Sequence, residues 1–258
     1  MRLISLFFAF IVLATGCSKR SDSSTQIFGH AATGLNISNA MYHDNSREAI
    51  EYALSLPHCS GVEVDVRMDV NGQLWLFHDE TLDASTNLSG TVETSTTDYL
   101  EAGRYRTMKK ERLTALTPDL MNVFSKGSTF FDIKGSEFTN KDSLLASLLS
   151  LNLDTSKFRI IVPNQAYFDV FKSDFPTFLA LQDFSDLSSS FLENEPELRG
   201  ICIRNEKITR EQVNFLKSIH KKTIIYEVRS PKGIRSALEK DPAFLLTDDL
   251  KLTLGMKY

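Results

Sequence analysis

The sequence predicts an α/β fold, a TIM (β/α)8 barrel with a β-hairpin after its second strand. Three observations carry this prediction. Short β-branched or aromatic runs alternate with longer helix-like stretches; the chain of 258 residues has the length of one large domain; and Asn71-Gly72 separates two of the apolar runs. Repeated strand-then-helix units make a parallel sheet, and one parallel domain near this size favours a closed barrel. Asn-Gly between apolar runs marks a two-residue hairpin turn, because both residues tolerate the positive φ it requires.

The elements follow in order. Residues 26–30 form the first strand, and 46–56 a helix whose apolar face carries Ala49, Ile50, Ala53 and Leu54. Residues 61–67 and 74–77 flank the Asn-Gly turn and run antiparallel, which leaves eight strands for the barrel. Residues 83–97 are rich in turn formers and long for a connection, so they read as a loop over one barrel end, where binding residues gather. Residues 117–124 form a helix started by Pro118. Strands over 129–133, 158–162, 177–181 and 200–203 follow. A helix over 210–220, with Val213, Leu216 and Ile219 on one face, precedes the last two strands at 223–228 and 243–246. No repeat occurs at solenoid periods.

The amino end departs from this pattern. Met1-Arg2, an apolar stretch over 3–14 and Thr15-Gly16-Cys17-Ser18 make a secretory signal too short to span a membrane comfortably. Cys17 after Ala14-Thr15-Gly16 resembles the lipobox of bacterial lipoproteins, although Leu13 stands one place before the usual Leu position. That resemblance implies a signal peptide over 1–17 with Cys17 as the lipidated residue. It places the protein in the bacterial cell envelope, lipid-anchored, facing the periplasm or on the outer-membrane surface. Residues 18–26, polar and serine-rich, suit a flexible tether to a folded domain over 27–258. Cys59 and Cys202 are far apart in sequence and are expected to be free and buried. A net charge of −4 and a pI near 5.8 argue against a nucleic-acid binder. The short basic cluster over 104–112 reads as a solvated face.

The chemistry concentrates in Gly61-Val-Glu-Val-Asp-Val-Arg67 and in Leu74-Trp-Leu-Phe-His78-Asp79, with His30 closing an earlier apolar segment. Residues i and i+2 of a strand share a face, so Glu63 and Asp65 converge while Val62, Val64 and Val66 pack on the other side. This is a candidate metal-and-histidine phosphodiesterase site. Phosphodiester cleavage needs an oxygen nucleophile deprotonated, phosphoryl charge stabilised and a leaving alkoxide protonated. Two imidazoles can divide the proton traffic. Carboxylates alone would repel phosphate, so a cation is expected among them, and oxygen ligands such as Glu63, Asp65 and Asp132 suit Ca²⁺ or Mg²⁺. Lys134, two residues after Asp132, can set an ammonium against a phosphoryl oxygen.

In order and spacing, His30-Ala31-Ala32, Asp44-Asn45-Ser46, Glu63-Val64-Asp65, Asn71-Gly72 and His78-Asp79 resemble the glycerophosphodiester phosphodiesterase family, within the phosphatidylinositol phospholipase C-like barrel superfamily. Thr117-Pro118-Asp119-Leu120, Asp132-Ile133-Lys134, Tyr226-Glu227-Val228 and Thr247-Asp248 continue the match across nearly the whole domain. The resemblance implies His30 and His78 as the acid/base pair and Glu63, Asp65 and Asp132 as ligands of a divalent metal. Ca²⁺ is preferred to Mg²⁺ because Asp132, where the family has Glu, shortens the reach by one methylene. Lys134, Arg67 and Asn45 are expected at the substrate, with an ordinary helix N-cap as the other reading of Asn45. The implied reaction turns a glycerophosphodiester, as a small molecule or a lipid headgroup, into glycerol 3-phosphate and an alcohol, in a monomeric protein bound to the membrane through its lipid. The alternatives are a phosphatidylinositol-type phospholipase with a cyclic product, or a barrel degraded to a lipoprotein binding module.

The chain departs from the pattern at four places. Ala31 stands where the family has an arginine for the phosphate, Ala84 where it usually has another, Asp132 for Glu, and Tyr226-Glu227 for Trp-Thr. Arg67, i+2 from Asp65, shares the ligand face and is a candidate to compensate, against the reading of a strand-end arginine in water. Asp79 is expected to orient His78 or a loop, and Asp248 to be structural.

Overall fold

The computed structural model describes residues 24–258 except 36, 38, 39 and 137. The expected signal segment, Cys17 and most of the expected tether therefore lie outside the described residues. The chain is held earlier than its polar composition predicts. The Thr25 hydroxyl is buried and donates to the Pro242 carbonyl at 2.7 Å, and Gln26 opens the first strand, so residues 25 and 26, expected in the tether, belong to the folded domain.

The first half runs β1 (Gln26–Gly29), α1 (Arg47–Ser55), β2 (Gly61–Met68), β3 (Leu74–Leu76), α2 (Thr97–Glu101), β4 (Thr114–Ala115), α3 (Pro118–Phe124) and β5 (Ser128–Ile133). The second half alternates more regularly: α4 (Lys141–Ser150), β6 (Phe158–Val162), α5 (Gln165–Phe171), β7 (Thr177–Leu181), α6 (Ser189–Asn194) and β8 (Leu198–Arg204). It ends with α7 (Arg210–Ser218), β9 (Lys222–Val228), α8 (Pro231–Glu239), β10 (Phe244–Thr247) and α9 (Leu250–Lys257). Around the barrel β1 lies beside β2, then come β5, β6, β7, β8, β9 and β10, and β10 pairs back with β1, every pairing parallel. The expected TIM barrel of eight parallel strands is formed.

Local chemistry sets the boundaries. Ser46 caps α1 by accepting from the Ala49 amide, Thr117 caps α3 ahead of Pro118, and Thr209 with Gln212 makes a reciprocal capping box on α7. The hairpin pairs Met68 with Leu74 and Val66 with Leu76, antiparallel as expected. Its turn is braced by Asp69, whose Oδ1 accepts from the Asn71 and Gln73 amides at 2.9 Å. One strand was not foreseen: β4 adds to the outer edge of β3, and two residues carry no readable alternation.

Alternation along the strands separates two cores. Val62, Val64, Val66, Phe131 and Ile133 point outward into the helix ring. Phe28, Phe130, Phe178 and Phe244 point inward and plug the barrel, with edge-on ring centroids 5.0 to 6.0 Å apart. Because side chains repeat every second residue, the next inward positions emerge above this plug at the carboxyl ends of the strands. His30 lies two residues beyond Phe28, Asp132 two beyond Phe130, and Asp248 two beyond Leu246. Barrel closure also explains Gly61. It pairs with Phe28 on one side and Ser128 on the other, and a Cβ there would stand 1.8 Å from the Ser128 carbonyl oxygen and 2.7 Å from the Phe28 ring.

Residues 83–97, expected as an open loop, belong to a folded insertion instead. A 3-10 turn (Val92–Thr94) and α2 bury Leu82, Leu88, Val92, Leu100, Tyr105 and Leu113 against Trp75 and Phe77 of the hairpin. Bridges Thr86 to Tyr105 and Arg104 to Arg112 close it. Cys59 and Cys202 are both free; Cys202 is buried and Cys59 is half-buried.

Candidate active site

Residues from five barrel strands or their ends meet above the aromatic plug. Asp65 on β2 and Asp132 on β5 are side-by-side partners in the parallel register, and Glu63 precedes Asp65 on the same face. Ligand oxygens of Glu63, Asp65 and Asp132 lie within 4.8 Å of one another. Each carboxylate is oriented by a separate device. Glu63 Oε2 accepts from the Ala31 amide at 2.8 Å. Asp65 Oδ2 accepts from the Asn45 side-chain amide at 2.7 Å, while the Asp65 backbone N–H donates to Asn45 Oδ1 at 2.9 Å. Asp132 Oδ2 accepts from Lys134 Nζ at 2.6 Å, and the same ammonium stands 3.0 Å from Asp65 Oδ1.

Two buried carboxylates, Glu63 and Asp65, and the half-buried Asp132 face one ammonium, which leaves negative charge in excess. Burial and the neighbouring Asp65 charge raise the Glu63 pKa, and burial raises that of Asp132. Burial would lower the Lys134 pKa, but the surrounding carboxylates outweigh it and hold the ammonium charged. Glu63 Oε1 is buried with no hydrogen-bond donor among the described residues. An orphaned carboxylate oxygen beside two further carboxylates is a donor set that a hard divalent cation would satisfy.

The two histidines border the same cavity, of about 430 Å³. His30 Nδ1 lies 2.8 Å from Asp248 Oδ1, and its Nε2 is 3.9 Å from Glu63 Oε2. Burial would lower the His30 pKa; the bond to Asp248 and the charges of Glu63, Asp248 and Asp65 outweigh it and raise it to about 9. Asp248 thus orients the His30 ring and fixes its Nδ1 as the donor. His78 Nδ1 lies 3.0 Å from Asp79 Oδ1, which leaves Nε2 for the cavity and bears out the expected role of Asp79.

Arg67 does share the ligand face and borders the cavity, but it is neither in water nor free. Its Nη1 is 2.5 Å from Glu93 Oε1 and its Nη2 donates to the His78 carbonyl at 2.9 Å, with both side chains buried. Asn45, expected at the substrate, is fully buried, gives both ends of its amide to Asp65 and leaves the helix cap to Ser46, so it braces Asp65. Ala31 and Ala32 take left-handed backbone, with φ of 45° and 76°. Sequence reasoning passed over Glu93, which sits in an irregular turn without a signal, and Arg229, whose Nε donates to Asp248 Oδ2 at 2.9 Å.

Comparison with known proteins agrees with this geometry. The profile of the Glycerophosphoryl diester phosphodiesterase family matches residues 34–249. A glycerophosphodiester phosphodiesterase of Bacillus altitudinis is 35% identical over 79 residues, 31% of this chain, and the match spans 30% of that relative's length. Among solved structures, a glycerophosphodiester phosphodiesterase from Parabacteroides distasonis superimposes with a TM-score of 0.76 at 16% identity, covering 91% of this chain and 97% of its own. A phosphodiesterase from Oleispira antarctica, solved with the product sn-glycerol-3-phosphate, gives 0.75 at 14% identity, covering 90% and 96%. At these identities the structures show the shared fold, while the profile match spans most of the chain: it belongs to the glycerophosphoryl diester phosphodiesterase family.

Proposed function

We propose that this chain is a divalent-cation-dependent phosphodiesterase that hydrolyses glycerophosphodiesters to glycerol 3-phosphate and an alcohol. The observation that carries the reading is the joint placement of two imidazoles, each held at Nδ1 by its own carboxylate, around one cavity with a three-carboxylate cluster. Glu63, Asp65 and Asp132 would hold the cation, and when bound it offsets the charge of a phosphoryl oxygen. Ca²⁺ fits better than Mg²⁺ because the ligands come from two strands whose spacing is fixed by the barrel, and Ca²⁺ coordination is the more tolerant.

The protein's own groups handle the protons. His78 Nε2 takes a proton from the attacking water as its oxygen bonds to phosphorus. His30, whose Nδ1 is held by Asp248, gives a proton to the departing alkoxide as the P–O bond breaks. Lys134 stands between two of the carboxylates, so its charge is available to a phosphoryl oxygen arriving at the same place. The substrate is a small-molecule diester or a lipid headgroup, reached by a monomer tethered to the bacterial envelope through acylated Cys17. The amino-terminal pattern supports that anchor, and no helix among the described residues is long and apolar enough to cross a membrane.

The test is hydrolysis of a glycerophosphodiester panel by the full chain in detergent. Chelation is expected to abolish turnover and Ca²⁺ to restore it better than Mg²⁺, while His30→Ala and His78→Ala each lower kcat by about 10²- to 10⁴-fold. A chain that cleaves no diester and binds no divalent cation by calorimetry ends the reading.

A further inference from the structure

We propose that Arg229 supplies the guanidinium fork that grips the phosphoryl oxygens, the part that Ala31 cannot play. The inference rests on the phosphodiesterase reading and assigns the anion-binding half of the same site. Four cationic side chains border the cavity: Arg67, Lys134, Arg204 and Arg229. They differ in what they can offer a phosphate beside His30. Arg67 has one terminal nitrogen on Glu93 and the other on the His78 carbonyl. Lys134, shared by Asp132 and Asp65, is a single ammonium that can meet one phosphoryl oxygen but makes no fork, and Arg204 pairs through Nε with the exposed Glu227 at 3.0 Å. Arg229 is also anchored through Nε, on Asp248 Oδ2 at 2.9 Å, but that carboxylate is fully buried and holds His30 as well, and both Arg229 terminal nitrogens are uncommitted among the described residues.

The anchor also aims the fork. Asp248 binds His30 with one oxygen and Arg229 with the other, so a single fully buried carboxylate sets the imidazole and the guanidinium side by side. The backbone fixes this arrangement, since the Asp248 amide donates to the Val228 carbonyl at 3.0 Å and ties the end of β10 to the residue just before Arg229. The Arg229 side chain is 49% exposed and borders both the histidine cavity and a neighbouring one of about 480 Å³. A phosphate held by two parallel N–H bonds from this fork would have its leaving oxygen next to His30, and an arginine presents that pair of donors in fixed geometry where a lysine does not. Asp248 does not need Arg229 merely to stay in place, because its Oδ1 already bonds His30 Nδ1 and the Leu35 amide.

The test uses the full chain in detergent with inorganic phosphate as the probe, read by calorimetry with and without Ca²⁺, beside KM and kcat on a glycerophosphodiester. Arg229→Gln keeps a donor for Asp248 and loses the fork. It is expected to weaken phosphate binding and raise KM by about ten- to a hundredfold, leaving Ca²⁺ affinity and Tm unchanged. Adding Ala31→Arg to Arg229→Gln is expected to recover phosphate affinity. Ala31 is buried, so if that double variant loses its fold Arg229→Lys decides: affinity between wild type and Arg229→Gln supports the fork, and affinity equal to wild type overturns it. Phosphate affinity and KM unmoved by Arg229→Gln, with only kcat reduced, would also overturn the proposal and leave Arg229 as a prop for Asp248. A wild-type chain that binds phosphate through Arg229 but cleaves no diester supports this inference and defeats the activity reading instead.

Discussion

Asp65 is gripped from two directions by one neighbour, and the grip sets where a cation can sit. The Asn45 amide donates to the carboxylate while its carbonyl accepts from the Asp65 backbone, at 2.7 and 2.9 Å. Asn45 also has a φ of 56°, a left-handed conformation that Asn adopts more readily than most residues. Asn45→Gly keeps that backbone and removes the amide, so it isolates the hydrogen bonds. Ca²⁺ affinity measured by calorimetry is expected to fall about 10- to 100-fold, as for other groups that orient a metal ligand; an unchanged affinity would show that Asp65 needs no such brace. This role could not be read locally, because Asn45 precedes a helix and its partner lies 20 residues further on. Glu63 and Asp65, by contrast, were legible because a strand repeats every second residue and the apolar partners Val62, Val64 and Val66 fix the face. Arg229 escaped notice for the same reason as Asn45: its meaning comes from Asp248, brought alongside by barrel closure.

The insertion between β3 and β4 is joined to the barrel by a buried ion pair, Arg67 to Glu93, at 2.5 Å. Glu93 comes from the 3-10 turn and Arg67 from β2, so the pair clamps the covering element against the strand that carries Glu63 and Asp65. Removing one partner of such a pair leaves the other charge buried and unmatched. Glu93→Gln is therefore expected to destabilise the fold by about 3 kcal/mol, while Arg67→Met with Glu93→Leu loses less, both read from urea unfolding midpoints. A Glu93→Gln variant as stable as wild type would mean that the clamp contributes nothing. The barrel strands were readable because each is a short β-branched or aromatic run set between longer helix-like stretches. The insertion was not, since Leu82, Leu88, Val92, Leu100, Tyr105 and Leu113 follow no single period and become a core only when folded back on Trp75 and Phe77.

Across the whole molecule the site lies where the barrel closes: β1 brings His30, β2 brings Glu63 and Asp65, β5 brings Asp132, and β10 leads into Asp248. The same placement that assembles the site sets like charges side by side, because Asp65 and Asp132 are in register on adjacent strands. Lys134 relieves part of that repulsion, while burial first and the Asp65 charge second raise the pKa of Glu63. A cation bound among the three carboxylates would couple β2 to β5 and favour the folded chain over the unfolded one by mass action. At a free concentration of 100 Kd the gain is about 2.7 kcal/mol, which for a chain of this size corresponds to a rise in Tm of roughly 5 to 10 °C. Thermal unfolding of the full chain with Ca²⁺ and with chelator measures it, and Glu63→Gln should abolish most of the difference by removing the ligand whose second oxygen has no other partner. Equal Tm values in Ca²⁺ and in chelator, at concentrations that support turnover, would place the cation outside the cluster and return the three carboxylates to a structural charge network centred on Lys134.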